Sequence, residues 1–218
     1  MPQQQTTAFD WSRYADATLA GLSVLIPIPF VDDAFEAFFR RRIPGAVARS
    51  RGRTLPQDVR AALAEKDAEG RGGCATIPLR LTVGLLKRLS RKILYFLTVK
   101  TATDRLSHYW YRAFLMDHML VAGHLESAAS ARLAHQAMDE VLSNTRGPLP
   151  RVARQLIASS RNVWPALRRA RRGEDAEEVR QMRSELEGRW GEVSGELNSI
   201  ADRYDAAYAR LGGVGETL

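Results

Sequence analysis

The chain has a single cysteine, Cys74, so no disulfide can close within it, and a reducing compartment is the natural expectation. It has no uninterrupted run of about 20 apolar residues, the length a bilayer-spanning helix requires. Ala17–Val31 (ATLAGLSVLIPIPFV) is oily but short, carries Pro27 and Pro29, and stops against Asp32 and Asp33. It reads as a buried or interfacial element. The opening MPQQQTTAFDW has neither a basic nor an apolar stretch, so it is not expected to act as a secretory leader. No segment alternates apolar and polar residues with turn chemistry at its ends, which argues against a β-sheet.

Motifs that carry chemistry are scarce as well. There is no Gly-x-Ser-x-Gly elbow, no His-Glu-x-x-His pair and no acidic calcium loop. Gly70-Arg-Gly-Gly73 has the look of a phosphate loop but lacks the Lys-Ser/Thr ending and a preceding strand, so it reads as a linker. Cys74 has no CxxC partner and reads as an incidental thiol. Lys100, Asp104, His108, Tyr111 and His118 recur at steps of four, four, three and seven and so share one helix face. Asp104 and His108 are the weak metal candidates of that face, because a helical Asp-x-x-x-His pair can hold a cation. A metal needs at least one more ligand, and a polar seam between helices explains the pattern equally. No catalytic residue and no cofactor is assigned, and the chain is not expected to be an enzyme.

What is present is helix and positive charge. The 218 residues are 45% hydrophobic and 26% charged, the proportions of a globular protein, with a net charge of +7. Six arginines, Arg40, Arg41, Arg42, Arg49, Arg51 and Arg53, crowd one segment. Eight more lie between Arg146 and Arg172 with no acid among them, and from Glu174 onward acids prevail. Such a chain can pair its acidic end with its own basic segments or leave a basic face for an anionic partner.

The periodicities predict an all-α protein, a single domain of six to eight helices. Residues 1–9 are expected to be disordered, 10–172 to form the helical domain, 173–212 a long acidic amphipathic helix packed on it, and 213–218 a flexible tail. A first helix is expected from Asp10 to Leu25, broken by Pro27 and Pro29. A second, capped by Asp32 or Asp33, places Phe35, Phe38, Phe39 and Ile43 on one face and is expected to end at Pro44-Gly45. Leu55–Glu69 should be a helix capped by Thr54. Leu85–Val121 contains neither glycine nor proline, and the short polar run Thr101-Ala-Thr-Asp104 is where it would restart. A further helix is expected over Leu125–Leu142, and an arginine-rich one from Arg151 to Arg172. Phe35, Phe38, Phe39, Leu89, Ile93, Phe96, Leu115 and Leu120 are the candidate core.

In the last element, Val179, Met182, Leu186, Trp190, Val193, Leu197, Ile200, Tyr204 and Leu211 recur at three-and-four spacing. Gly188, Gly191 and Gly195 argue against a free-standing coiled coil, since each costs about 1 kcal/mol relative to alanine. The helix should therefore fold back on its own domain with its acids toward Arg146–Arg172. A protein partner or a second copy remains the alternative.

Two basic helices carry the functional expectation. Within Ile77–Leu97, Leu85, Leu86, Leu89, Ile93, Phe96 and Leu97 fill one arc of the wheel, with Arg80, Lys87, Arg88, Arg91 and Lys92 on the other. Arg154, Arg161 and Arg168 stand opposite Leu156, Val163, Trp164 and Leu167 in a second such helix. Both arcs together suit an anionic membrane surface, where each basic residue contributes about 1 kcal/mol. The same pattern fits a solvated face over an ordinary core. Nucleic acid is the runner-up partner, since arginines neutralise phosphates, but no recognition motif accompanies them. The expected location is cytoplasmic, including the inner face of the membrane.

Ala20-Gly-Leu-Ser-Val-Leu-Ile-Pro-Ile-Pro-Phe-Val-Asp-Asp33 resembles the apolar Pro-x-Pro-x-x-Asp element of bacterial membrane-associated helical domains, some similar to the EcsC group and others accompanying Era-like GTPases. Ile93–Asp104 followed by Phe114–His118 resembles paired blocks of an uncharacterised bacterial family. The resemblance implies a helical, membrane-proximal protein and brings no catalytic residue. The chain departs from the GTPase-associated group in having no GTPase domain and in its basic later helices.

Overall fold

The computed structural model describes residues 9–26, 31–64, 91–145 and 177–215, together with 153, 157, 168, 169, 172 and 174; the side chains of 64, 91–98, 194, 214 and 215 are outside this set. The described residues form six α-helices and one 3-10 turn, with no strand. The helices are α1 Trp11–Leu22, α2 Val31–Ser50, α3 Gln57–Ala64, α4 Arg91–Val121, α5 Ala128–Asn144 and α6 Glu177–Gly215, the 3-10 turn following α1 at Ser23–Leu25. The protein is all-α.

Local chemistry sets the helix ends. Asp10 caps α1, its carboxylate accepting from the Ser12 amide at 3.0 Å. Ser127 and Ser130 form a reciprocal capping box at the start of α5. Gly52, at φ 65°, closes α2: its amide reaches the Arg49 carbonyl at 2.9 Å and that of Arg53 the Ala48 carbonyl at 2.9 Å. Only a residue that tolerates the left-handed region makes this paired stop. Gly123, at φ 79°, plays the same part after α4.

Three expectations about continuity need correction. Pro44-Gly45 does not end α2, which runs on to Ser50. Ile43, Ala46, Val47 and Ala48 are all buried around that point, and their burial outweighs the roughly 3 kcal/mol cost of an interior proline. Thr101–Asp104 does not restart the long helix, because α4 is continuous over 31 residues. The polar side chains here bond within the helix: Thr103 Oγ1 donates to the Val99 carbonyl and Ser107 Oγ to that of Thr103, both at 2.8 Å. α3 begins at Gln57, later than Leu55, its first turn closed by the Arg60 amide on the Pro56 carbonyl. The expected breaks at Pro27 and Pro29, the linker Gly70–Gly73 and most of the arginine-rich helix lie outside the described residues.

α4 is the shared element. α1 and α2 pack on it and on each other, while α5 and α6 pack on each other and on α4. At Gly21 the backbones of α1 and α4 meet: a methyl group there would lie 2.5 Å from the Leu106 Cα. Glycine is required by that approach. Trp110, fully buried, donates from Nε1 to Thr18 Oγ1 at 2.9 Å, tying α4 to α1 a second time. Phe35, Phe39, Leu115 and Leu120 are buried and Phe38 is half-buried, while the placements of Leu89, Ile93 and Phe96 lie outside the described side chains.

The apolar stripe of α6 from Val179 to Tyr204 is buried, and Leu211 packs at its edge. Near its start, Trp190 meets Tyr14 and Phe9, with ring centroids 4.6 and 4.9 Å apart. Gly188, Gly191 and Gly195 face open space, so the glycines lie on the side of α6 away from its packing. Glu178 pairs with Arg169 at 3.6 Å, but other α6 acids turn to α4: Glu196 accepts from Tyr111 at 2.5 Å and Asp205 meets His118 at 2.7 Å.

Candidate functional site

Arginines that read as one cluster in sequence separate into two roles. Arg51 grips Asp117 of α4 in a two-pronged bond, Nε to Oδ1 at 2.7 Å and Nη2 to Oδ2 at 2.8 Å. Arg13 of α1 reaches the same carboxylate at 2.9 Å. Asp117 and Arg13 are both buried, so this triad is an internal tie among α1, α4 and the end of α2. The bond to Asp117 is the main reason the Arg51 guanidinium holds its proton more firmly than usual. Glu36 plays a like role in α2, accepting from Tyr109 at 2.5 Å and pairing with Arg105, both of α4. Arg53 donates to the Leu120 carbonyl at 3.2 Å.

The remaining charge faces outward. Arg42 meets Asp16 at 3.2 Å and lies over the Phe38 ring at 5.2 Å. Arg49 is exposed and forms no ion pair among the described residues. These side chains border an open cleft of about 440 Å³ between α1 and α2, lined also by Trp11, Leu19 and Val179. Asp16 is buried at its edge, and desolvation raises its pKa against the opposing pull of Arg42 and Arg49. Glu174 lies at the rim and pairs with Arg172 at 3.7 Å. Its volume falls within the range of small-ligand sites, and a few polar groups converge there on a partly apolar wall.

A second polar cluster joins α4 to α6. His124 Nδ1 is 2.9 Å from the Tyr204 hydroxyl, and its ring stacks on Tyr208 at 3.7 Å. Desolvation lowers the His124 pKa, although Asp205 pulls the other way. Burial likewise raises the pKa of Tyr204, as it does that of Tyr111 beside Glu196. Rings packed and hydrogen-bonded in this way clasp the end of α4 to α6.

Arg80, Lys87, Arg88, Arg154 and Arg161, expected to contact lipid, lie outside the described residues. Arg91 and Lys92 open α4, with their side chains outside the description. Arg168 is helical and exposed. Of the metal candidates, Asp104 is exposed and His108 half-buried with its ring 5.4 Å from Tyr109. Among the described residues no three His, Cys, Asp or Glu side chains are grouped to hold a metal ion. Nor is any helix among them long and apolar enough to cross a membrane. Tyr111 and His118 of the predicted polar face are joined to α6, while Lys100 is exposed.

The cleft was not legible as a site. Its signal was the arginine cluster from Arg40 to Arg53, but which of those arginines lacks a carboxylate depends on residues on other helices. No family model, curated protein or solved structure matches the chain.

Proposed function

We propose that the chain is a non-catalytic peripheral protein that contacts an anionic membrane surface from the cytoplasmic side. Arg80, Lys87, Arg88, Arg91 and Lys92 provide the first contact, and Arg154, Arg161 and Arg168 the second. The observation that carries the reading is the joint presence, within Ile77–Leu97, of an apolar arc and five basic residues. A lipid surface uses both, whereas nucleic acid uses chiefly the charge. The resemblance of Ala20–Asp33 to membrane-associated helical domains supports the same reading.

Co-sedimentation with neutral and anionic vesicles, beside binding assays on single- and double-stranded DNA and RNA, tests it. Retention on phosphatidylglycerol vesicles that survives moderate salt is the expected result, since salt does not screen the apolar contribution. Binding to nucleic acid alone, with steep salt dependence, would replace the membrane by the runner-up partner. Binding to neither would make the chain a protein–protein adaptor.

A further inference from the structure

We infer that the cleft between α1 and α2 binds a small organic anion, a phosphate monoester or carboxylate on a flat apolar body, with the anionic group on Arg49. Asp16 is met by Arg42 at 3.2 Å and Glu174 by Arg172 at 3.7 Å, so each carboxylate at the cleft has its own guanidinium. Arg49 has none among the described residues, although it lines the same space. A guanidinium presents a planar fork of donors that matches carboxylate and phosphate oxygens two at a time. Among the described residues of the wall, Arg49 carries the guanidinium that touches no carboxylate, its pull on Asp16 acting only across space.

The rest of the wall determines what carries the anion. Trp11, Leu19 and Val179 present aromatic and aliphatic surface, and about 440 Å³ admits a ring-sized body but exceeds what a bare phosphate fills. Arg42 is a second, conditional donor. It is 42% exposed at the side chain and committed to a single carboxylate, so it can turn toward an incoming anion when Asp16 loses its charge. The site is independent of the membrane reading, because neither Arg42 nor Arg49 belongs to the helices assigned to lipid.

Calorimetric titration of the full chain with phenyl phosphate, inorganic phosphate and phenol tests the inference. Phenyl phosphate should bind saturably at one site and more tightly than either half of the molecule alone. Arg49→Ala should weaken it roughly tenfold or more, the worth of one charge-assisted contact. Trp11→Ala should erase the preference for phenyl phosphate over inorganic phosphate. Asp16→Asn should tighten binding, because it removes a repelling charge and releases Arg42; a gain of affinity cannot come from misfolding. Arg60→Ala, which removes an equal charge from an exposed position on α3, should leave binding unchanged. Displacement of phenyl phosphate by phosphatidylglycerol vesicles would place the anion on a lipid headgroup, and lack of displacement would make it a free solute; either supports the cleft. Absence of saturable binding, or equal losses from Arg49→Ala and Arg60→Ala, would overturn it.

Discussion

Asp117 and Asp16 lie on two helices that pack against each other, both are buried, and arginine meets each of them, yet their surroundings differ. Asp117 has two guanidinium partners, one buried beside it and one held by paired bonds. Asp16 has one ion-pair partner, half in solvent, at the border of an open cleft. At the first site the attraction and hydrogen bonds answer the cost of burial. At the second, desolvation prevails, which is why the Asp16 pKa rises despite two nearby arginines. A buried carboxylate with two well-placed arginines holds helices together, whereas one with a single, half-exposed ion-pair partner is a place where charge can be rearranged.

The largest expected effect comes from removing the well-compensated carboxylate. Asp117→Ala leaves Arg13 buried without its partner and should cost about 3–5 kcal/mol in urea unfolding. A loss below about 1 kcal/mol would show that Arg13 and Arg51 find water instead. Next is Gly21→Ala, where the added methyl meets α4 backbone that cannot rotate away. It should cost about 1–3 kcal/mol by thermal denaturation, as overpacking does.

The outer surface should respond in the opposite direction. Gly188→Ala on the open side of α6 should raise stability by up to about 1 kcal/mol, since alanine relieves the helix of a flexible residue and meets nothing. Asp16→Asn gives the smallest change. Its raised folded-state pKa means the carboxylate favours folding most below its unfolded value of 3.8 and loses that contribution as pH rises through the folded value. At pH 7 the asparagine variant should therefore match the parent or exceed it by no more than about 1 kcal/mol, with a flatter pH profile over that acidic window. A clear loss at pH 7 would erase the contrast with Asp117.

The apolar stripe of α6 was legible because a spacing of three and four over more than thirty residues has few other solutions, and the start of α1 near Asp10 because apolar residues fall at helical spacing from there. Pro44 misled, since the cost of a proline is local and visible while the burial that outweighs it comes from α1 and α4. The threonines of α4 misled for a related reason: their hydroxyls can compete with a helix or bond within it, and the buried setting of Thr103 favours the latter. The candidate cleft was hidden because its pairing is long-range. Arg51 and Asp117 are 66 residues apart, so the sequence shows six neighbouring arginines and not which of them the fold has already used.

On the proposed reading, the arginines that hold helices together are distinct from the basic residues that would meet an anionic surface. Vesicle co-sedimentation of a variant with Arg80, Lys87, Arg88, Arg91 and Lys92 all changed to glutamine measures it most directly, with the melting temperature taken on the same sample. The parent should be retained on phosphatidylglycerol vesicles, and the variant should be released while its melting temperature stays close to the parent's. A variant still retained as the parent is, or one released only because it has unfolded, would contradict it.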